Sequence, residues 1–389
     1  MKRFSLIFLG ALVSLVASCS KESKPHDPNE EPWVSDLNLP VPIEFGKSGF
    51  QFETKADMIT QENFDKAPLR VFAVDLNDKG GLSPNPTGDK RVLFANEKAA
   101  YDASSKTIVF DGGKTWYYPY GSTHNYSFFA YHLGDYEPTI SLASSTGDLY
   151  ASIDLNKNQS DILLAQSIAE DYNGLKGYNA KYIRAIKTAK VESEYSPKLE
   201  FKHLTTALTF KFKIDPNDTE TTEEKFVGVK VTELSLTNVP SIVNLWITDK
   251  TGVRPQLEDR LLTPTDGSPN GVNMNCDQIE AIPVNKEVTL GTLFVLIPKD
   301  RAEVEVAMKV SVPLSSGSET DEVPVKMKLR RDGDSFVAGR KYEYLITMKS
   351  PVDISIQAVL NDWENADIEK DDSFVVDQDG NNTGGLIIE

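Results

Sequence analysis

The chain is poor in the residues that most often carry chemistry. Its 389 residues include only two cysteines, Cys19 and Cys276, and four histidines. If Cys19 is consumed in processing, Cys276 has no partner and no intrachain disulfide forms. Cys276 is expected as a half-buried small residue in a loop, because no CxxC or nearby His favours a reactive thiol. No HExxH and no Cys/His cluster offers zinc ligands, so neither a metal nor a cofactor is expected. Positive charge is also short. The 41 Lys and Arg against 58 Asp and Glu leave a net charge of −17. That excludes the basic footprint of a nucleic-acid binder and suits a soluble surface protein kept apart by repulsion. Beyond the first residues, no apolar run reaches the length of a membrane helix.

What is present begins with a targeting segment at residues 1–19. Lys2 and Arg3 form a charged start, and Phe4 to Val16 an apolar stretch too short for a stable membrane anchor. Val16-Ala17-Ser18-Cys19 resembles the lipobox of bacterial lipoproteins, in which the Cys takes diacylglycerol and begins the mature chain. Membrane contact is then expected only through the lipid on Cys19. Residues 20–40 are Pro-rich and acidic and read as a flexible tether.

Val41 to Ala56, VPIEFGKSGFQFETKA, reads as a β-strand. Ile43 and Phe45 alternate with polar neighbours, and Phe50 and Phe52 do so on the opposite parity. Gly46 or Gly49 would supply the bulge that a single strand needs to accommodate that slip. Lys55-Ala56 follows as a tryptic-type site, so residues 41–55 read as a removable first strand.

Further on, short alternating runs recur every dozen or so residues between loops of Gly, Pro, Asn and Asp. That spacing is the mark of an antiparallel β-sandwich. The fold is expected to be all-β with little helix. Length favours two domains, 41–195 and 196–389, divided in the charged stretch near Lys190–Lys198. Leu69–Leu76 reads as an interior strand, Arg91–Phe110 as a hairpin region, and Lys114–Gly134 as strands on either side of Pro119-Tyr120-Gly121. In Leu175–Lys190, Tyr178, Tyr182, Ile183 and Ile186 lie near helical spacing with a basic face.

Motifs for catalysis fail on inspection, and no catalytic residue is assigned. Gly112-Gly113-Lys114-Thr115 lacks the first glycine of a phosphate loop, where Ile108 stands. Ser48 lacks the GxSxG spacing of a nucleophile elbow. Asp377-Gln378-Asp379-Gly380 lacks the twelfth-position Glu of a calcium loop. His203 reads as a hydrogen-bonded strand residue. Trp116, Tyr117, Tyr118, Tyr120, Tyr126, Phe128, Phe129 and Tyr131 are either sandwich core or a sugar-stacking platform.

Several of these segments together resemble the fimbrillin family, the type V pilins. They are the lipobox, KTWYYPYGSTHNYSFFAYHLG, DILLAQS, FKHLTTALTFKFKI, and GRKYEYLITM followed after a strand by Asn361-Asp362-Trp363. The resemblance implies two transthyretin-like β-sandwich domains and export as a lipoprotein, through the periplasm to the outer membrane and a fimbrium. It also implies cleavage between Lys55 and Ala56, where the family usually has Arg, with loss of the strand carrying Ile43, Phe45, Phe50 and Phe52. A neighbouring subunit would then lay a donor strand in the groove. Candidate donor anchors are Ile354, Ile356 and Val359, and, in the acidic tail, Phe374, Val376, Leu386 and Ile388. Implied partners are other copies or other pilins and a processing protease, with a host glycan or protein receptor beyond them. The competing reading is a tip adhesin, anchor or glycan-binding lipoprotein that keeps its first strand.

Overall fold

The computed structural model describes residues 31–45, 50–52, 64–77, 82, 91–105, 107–121, 124–168, 177–188, 196–216, 226–248, 261–268, 270–274, 276, 281–299, 301, 303–313, 320–330, 336–350 and 353–359. In chain order the first elements are α1 (Pro32–Ser35), β1 (Val41–Pro42), β2 (Phe50–Phe52), β3 (Pro68–Val74), β4 (Val92–Asp102) and β5 (Thr107–Phe110). There follow β6 (Tyr117–Tyr118), β7 (Ser127–His132), β8 (Thr139–Leu142), β9 (Leu149–Asp154), β10 (Leu163–Ser167), α2 (Ala180–Thr188) and β11 (Leu199–His203). The next group is β12 (Thr206–Ile214), β13 (Lys230–Pro240), β14 (Ile242–Trp246), β15 (Leu262–Pro264), β16 (Asn270–Met274) and β17 (Glu287–Val295). The last strands are β18 (Glu303–Pro313), β19 (Thr320–Arg330), β20 (Lys341–Ser350) and β21 (Asp353–Val359).

The fold is all-β, as the alternating runs predict. A seven-stranded sheet has the order β2-β11-β10-β7-β3-β4-β5. Two four-stranded sheets, β17-β12-β20-β21 and β16-β13-β18-β19, come from residues 206–359. Another four-stranded sheet, β15-β14-β9-β8, draws strands from both sides of residue 196, with Ile242 opposite Asp154 and Trp246 opposite Tyr150. The ladders are antiparallel except β2 on β11 and β12 on β20, which are parallel among the described residues.

The seven-stranded sheet separates two apolar clusters, because successive side chains on a strand point to opposite faces. Phe72, Val74, Phe129 and Tyr131 join the larger cluster with β9, β12 and the strands that follow. Val71, Ala73, Phe128 and Ala130 join the second, with Val41, Ile43 and Phe45. The chain passes from the first sheet to the next at Leu204-Thr205, beyond the composition break near Lys190–Lys198. A buried knot fixes that passage. His203 Nδ1 and the Thr205 hydroxyl both bond the Asp161 carboxylate, and Leu204 N donates to Ile162 O at 2.9 Å.

Two expectations are corrected. The opening stretch is not one strand. β1 pairs with β6, whereas β2 pairs with β11, so the parity slip marks a change of sheet rather than a bulge. The strands expected on either side of Pro119-Tyr120-Gly121 are β6 and β7, which lie in different sheets. Cys276 is buried rather than half-buried.

Candidate functional site

The N-terminal segment Glu31–Phe45 forms a strap over the second cluster. Pro32 opens the single helical turn α1, where a missing N–H is harmless. Asp36 then ends it: its Oδ1 accepts from Asn38 N at 2.9 Å, folding an Asx turn. Pro40 and Pro42 hold the next residues extended. Val41 lies opposite Tyr118, Ile43 N donates to Trp116 O at 2.8 Å, and the Thr107 hydroxyl donates to Phe45 O at 2.7 Å.

Two prolines leave this stretch few main-chain donors, so side-chain burial holds it. Val41, Ile43 and Phe45 are 1%, 5% and 4% exposed. The Phe45 ring meets Phe128 edge-on at 5.4 Å. At about 1.5–3 kcal/mol per buried side chain, these three contribute roughly 5–9 kcal/mol. That is on the order of a whole domain's net stability.

α2 clamps the other half of the strap. Asn179 caps the helix, its side-chain oxygen accepting from Tyr182 N at 2.8 Å. Tyr178 is bonded both ways to the Tyr126 backbone at 2.7 and 2.8 Å. The preceding Gly177 has φ +116°, and a Cβ there would stand 2.7 Å from the Asn125 carbonyl, so only glycine fits. From the helix, Arg184 donates to the Trp33 carbonyl at 3.0 Å and to the Leu39 carbonyl. Lys187 donates to Glu31 at 2.9 Å and lies 5.0 Å from the Trp33 ring centroid.

A small pocket opens where strap and helix meet, lined by Trp33, Pro42, Glu44, Tyr118, Ile183, Lys187 and Ser196. The Tyr118 hydroxyl is buried and has no hydrogen-bond partner among the described residues. Burial, with Tyr178, Glu44 and Tyr182 adding, pushes its pKa well above the ordinary phenol value. Glu44 keeps a solvent-facing side, yet partial burial first and the Glu31 carboxylate second raise its pKa, against an opposing pull from Lys187.

Of the expected site residues, Ile43 and Phe45 are brought together in the second cluster. The backbone of Phe50–Phe52 forms β2, but the side chains of Phe50 and Phe52 lie outside the described residues. Cys19, Lys55, Ala56, Phe374, Val376, Leu386 and Ile388 lie outside them too. Ile354 and Ile356 are buried in this chain's own larger cluster through β21, whose last residue is Val359. Of the aromatic run, Tyr118, Tyr126, Phe128, Phe129 and Tyr131 are core. Trp116 packs 4.8 Å from Phe94 beneath Lys114, which leaves Tyr117 and Tyr120 as the exposed rings. Among the described residues no group of His, Cys, Asp and Glu forms a metal site, and no helix is long and apolar enough to cross a membrane. The clamp by Arg184 and Lys187 was not predicted. A basic face at helical spacing was the visible signal, and its partner was not.

No curated protein sequence matches the chain. Among solved structures, it is similar to a candidate cell adhesion protein from Bacteroides uniformis, at 15% identity and TM-score 0.44, covering 84% of this chain and 99% of that one. It is also similar to the fimbrial anchor protein Mfa2 from Porphyromonas gingivalis, at 12% identity and TM-score 0.36, covering 84% and 98%. The fimbrillin-like family model matches residues 60–363, starting after the strap and stopping before the acidic tail. With that match spanning most of the chain, the protein belongs to the fimbrillin-like family.

Proposed function

We infer that the protein is a structural, non-enzymatic subunit of a cell-surface fimbrium. It has a pilus-associated role in adhesion and associates with other fimbrial subunits. Family membership supports that much. In the finer reading it is exported as a lipoprotein through Cys19, matured between Lys55 and Ala56, and polymerised by strand exchange.

One observation carries the finer reading. The strap covers a core face by side-chain burial, its ladder to β6 spans only two residue pairs, and it lies wholly upstream of Lys55. Such a segment is separable once the chain is cut behind it. The face it leaves then favours a replacement strand, whose main-chain bonds give affinity and whose alternate side chains give register.

The decisive experiment is N-terminal sequencing of protein taken from cells, beside a Lys55→Ala variant. A mature chain starting at Ala56, with fimbriae lost in the variant, supports the reading. A chain starting at Cys19 within assembled fimbriae points instead to an anchor or tip role with the strap kept. Unchanged fimbriae from Lys55→Ala remove cleavage at this site as the trigger.

A further inference from the structure

Large apolar side chains left in solvent are not spread evenly over the molecule. Of the eight that stand exposed among the described residues, four lie where the strap meets β6. They are Leu37, Leu39, Tyr117 and Tyr120, at 64%, 37%, 44% and 75% exposure. In the short β1–β6 ladder Tyr117 is opposite Pro42 and Tyr118 opposite Val41. That register, carried two residues further, sets Leu39 level with Tyr120. Leu37 sits in the turn just before, which Leu39 N closes by donating to Asp36 O at 3.2 Å. Arg184 holds the strap side through the Leu39 carbonyl. On the other side Gly121, at φ +65°, turns the chain after Tyr120.

Charge is missing from this corner. Residues 37–43 and 115–123 contain no Asp, Glu, Lys or Arg, in a chain whose charged content is 25%. The flanking Asp36 is turned back on its own loop, its carboxylate accepting from Asn38 N at 2.9 Å. Two leucines and two tyrosines without a charge between them suit a bilayer interface. The leucines make the apolar contact, and tyrosine rings lie at headgroup level with their hydroxyls wet. A second copy of the chain is a poorer occupant, because each copy carries a net charge of −17 and repels the other. Chain length points to the membrane as well. Eleven residues, 20–30, separate Cys19 from Glu31, so a lipid on Cys19 would keep the strap within about 40 Å of the bilayer. At that range a weak contact suffices, since the tether sets an effective concentration of about millimolar.

We propose that the β1–β6 corner is a membrane-docking surface that lays the uncleaved chain against the bilayer beside its own lipid. The proposal rests on the lipoprotein reading above and adds to it a second, non-covalent contact. Leu37 and Leu39 belong to the strap, whereas Tyr117 and Tyr120 lie beyond Lys55. Loss of the strap would therefore remove the lipid and half of the docking surface in one event.

The test uses the full-length chain, kept uncleaved by Lys55→Ala, purified from cells that export it and placed in phosphatidylcholine vesicles. A fluorophore on Asn38→Cys, between the two leucines, is expected to be quenched about twofold or more by nitroxide-bearing lipid. The same fluorophore on Val227→Cys, exposed three residues before β13, should be unaffected. Leu37→Ser, Leu39→Ser and Tyr120→Ser together change only exposed side chains, so the fold should hold and the quenching at residue 38 should vanish. Salt at about 0.5 M should leave the quenching in place, because the contact is apolar. A chain whose mass shows lipid on Cys19, but whose label at residue 38 is unquenched or quenched no more than at residue 227, overturns the docking surface and leaves lipidation standing. A chain without lipid overturns the lipoprotein reading. Held instead by an N-terminal hexahistidine on nickel-chelating vesicles, it still decides the surface, which stands only if residue 38 is quenched.

Discussion

Phe45 and Glu44 are neighbours that act on the strap in opposite directions. The Phe45 ring is buried among Phe110 and Phe128. Phe45→Ala should therefore destabilise the uncleaved chain by about 3–5 kcal/mol, read from urea unfolding. Once the strap has been cut and removed, the same substitution should have no effect. Glu44 has a raised pKa, so the docked state binds its proton more readily than the free strap does. The ionised carboxylate opposes docking at neutral pH, and that opposition fades as the pH falls through the raised pKa. In protein nicked after Lys55, strap release is expected to slow on mild acidification. With Glu44→Gln it should be slow already at neutral pH and lose that pH dependence. Fluorescence of a labelled strap would follow both.

Among the elements, β21 carries expected donor anchors that are packed inside this chain. Ile354 and Ile356 were candidate donor anchors, yet both are buried within this chain, and β21 pairs with β20 from Glu343–Val359 to Ser350–Asp353. Detaching β21 would expose that core. Ile356→Ala should lower stability by about 2–5 kcal/mol in urea unfolding of the full chain. A wild-type midpoint would show that β21 is loosely held and free to act as a donor. The elements themselves were largely legible. Period-two alternation at Leu208, Phe210, Phe212 and Ile214 marks β12, and near-helical spacing at Tyr178, Tyr182 and Ile183 marks α2. Partners were not, because pairing depends on residues far away in sequence. Nothing within VPIEFGKSGFQF says that Val41 will meet Tyr118 while Phe50 meets Leu199. Likewise Arg184 reads as one more surface cation until the chain folds and brings it to residues about 150 positions earlier.

At the scale of the molecule, the seven-stranded sheet divides two cores, and the strap belongs to the second alone. Cleavage and removal of the strap should weaken one core and spare the other. Urea unfolding of the cut chain is expected to split into two steps, with Trp116 reporting the earlier and Trp246 the later. A single shared step would mean that the sheet couples the cores tightly enough to unfold together. All-β architecture was legible at this scale from strand spacing. The sheet β15-β14-β9-β8, shared between strands before and after residue 196, was not, because its strands lie in segments whose composition gives no hint that they meet.

That shared sheet has a mechanical consequence. β9 and β14 are zipped from Tyr150–Trp246 to Asp154–Ile242, and β12 and β20 run side by side over eight residue pairs. A pull that drew the parts before and after residue 196 away from each other would have to break the first ladder before any linker could extend. Under tension the subunit would then stretch as one stiff body, passing force through a row of hydrogen bonds rather than through a single covalent tether.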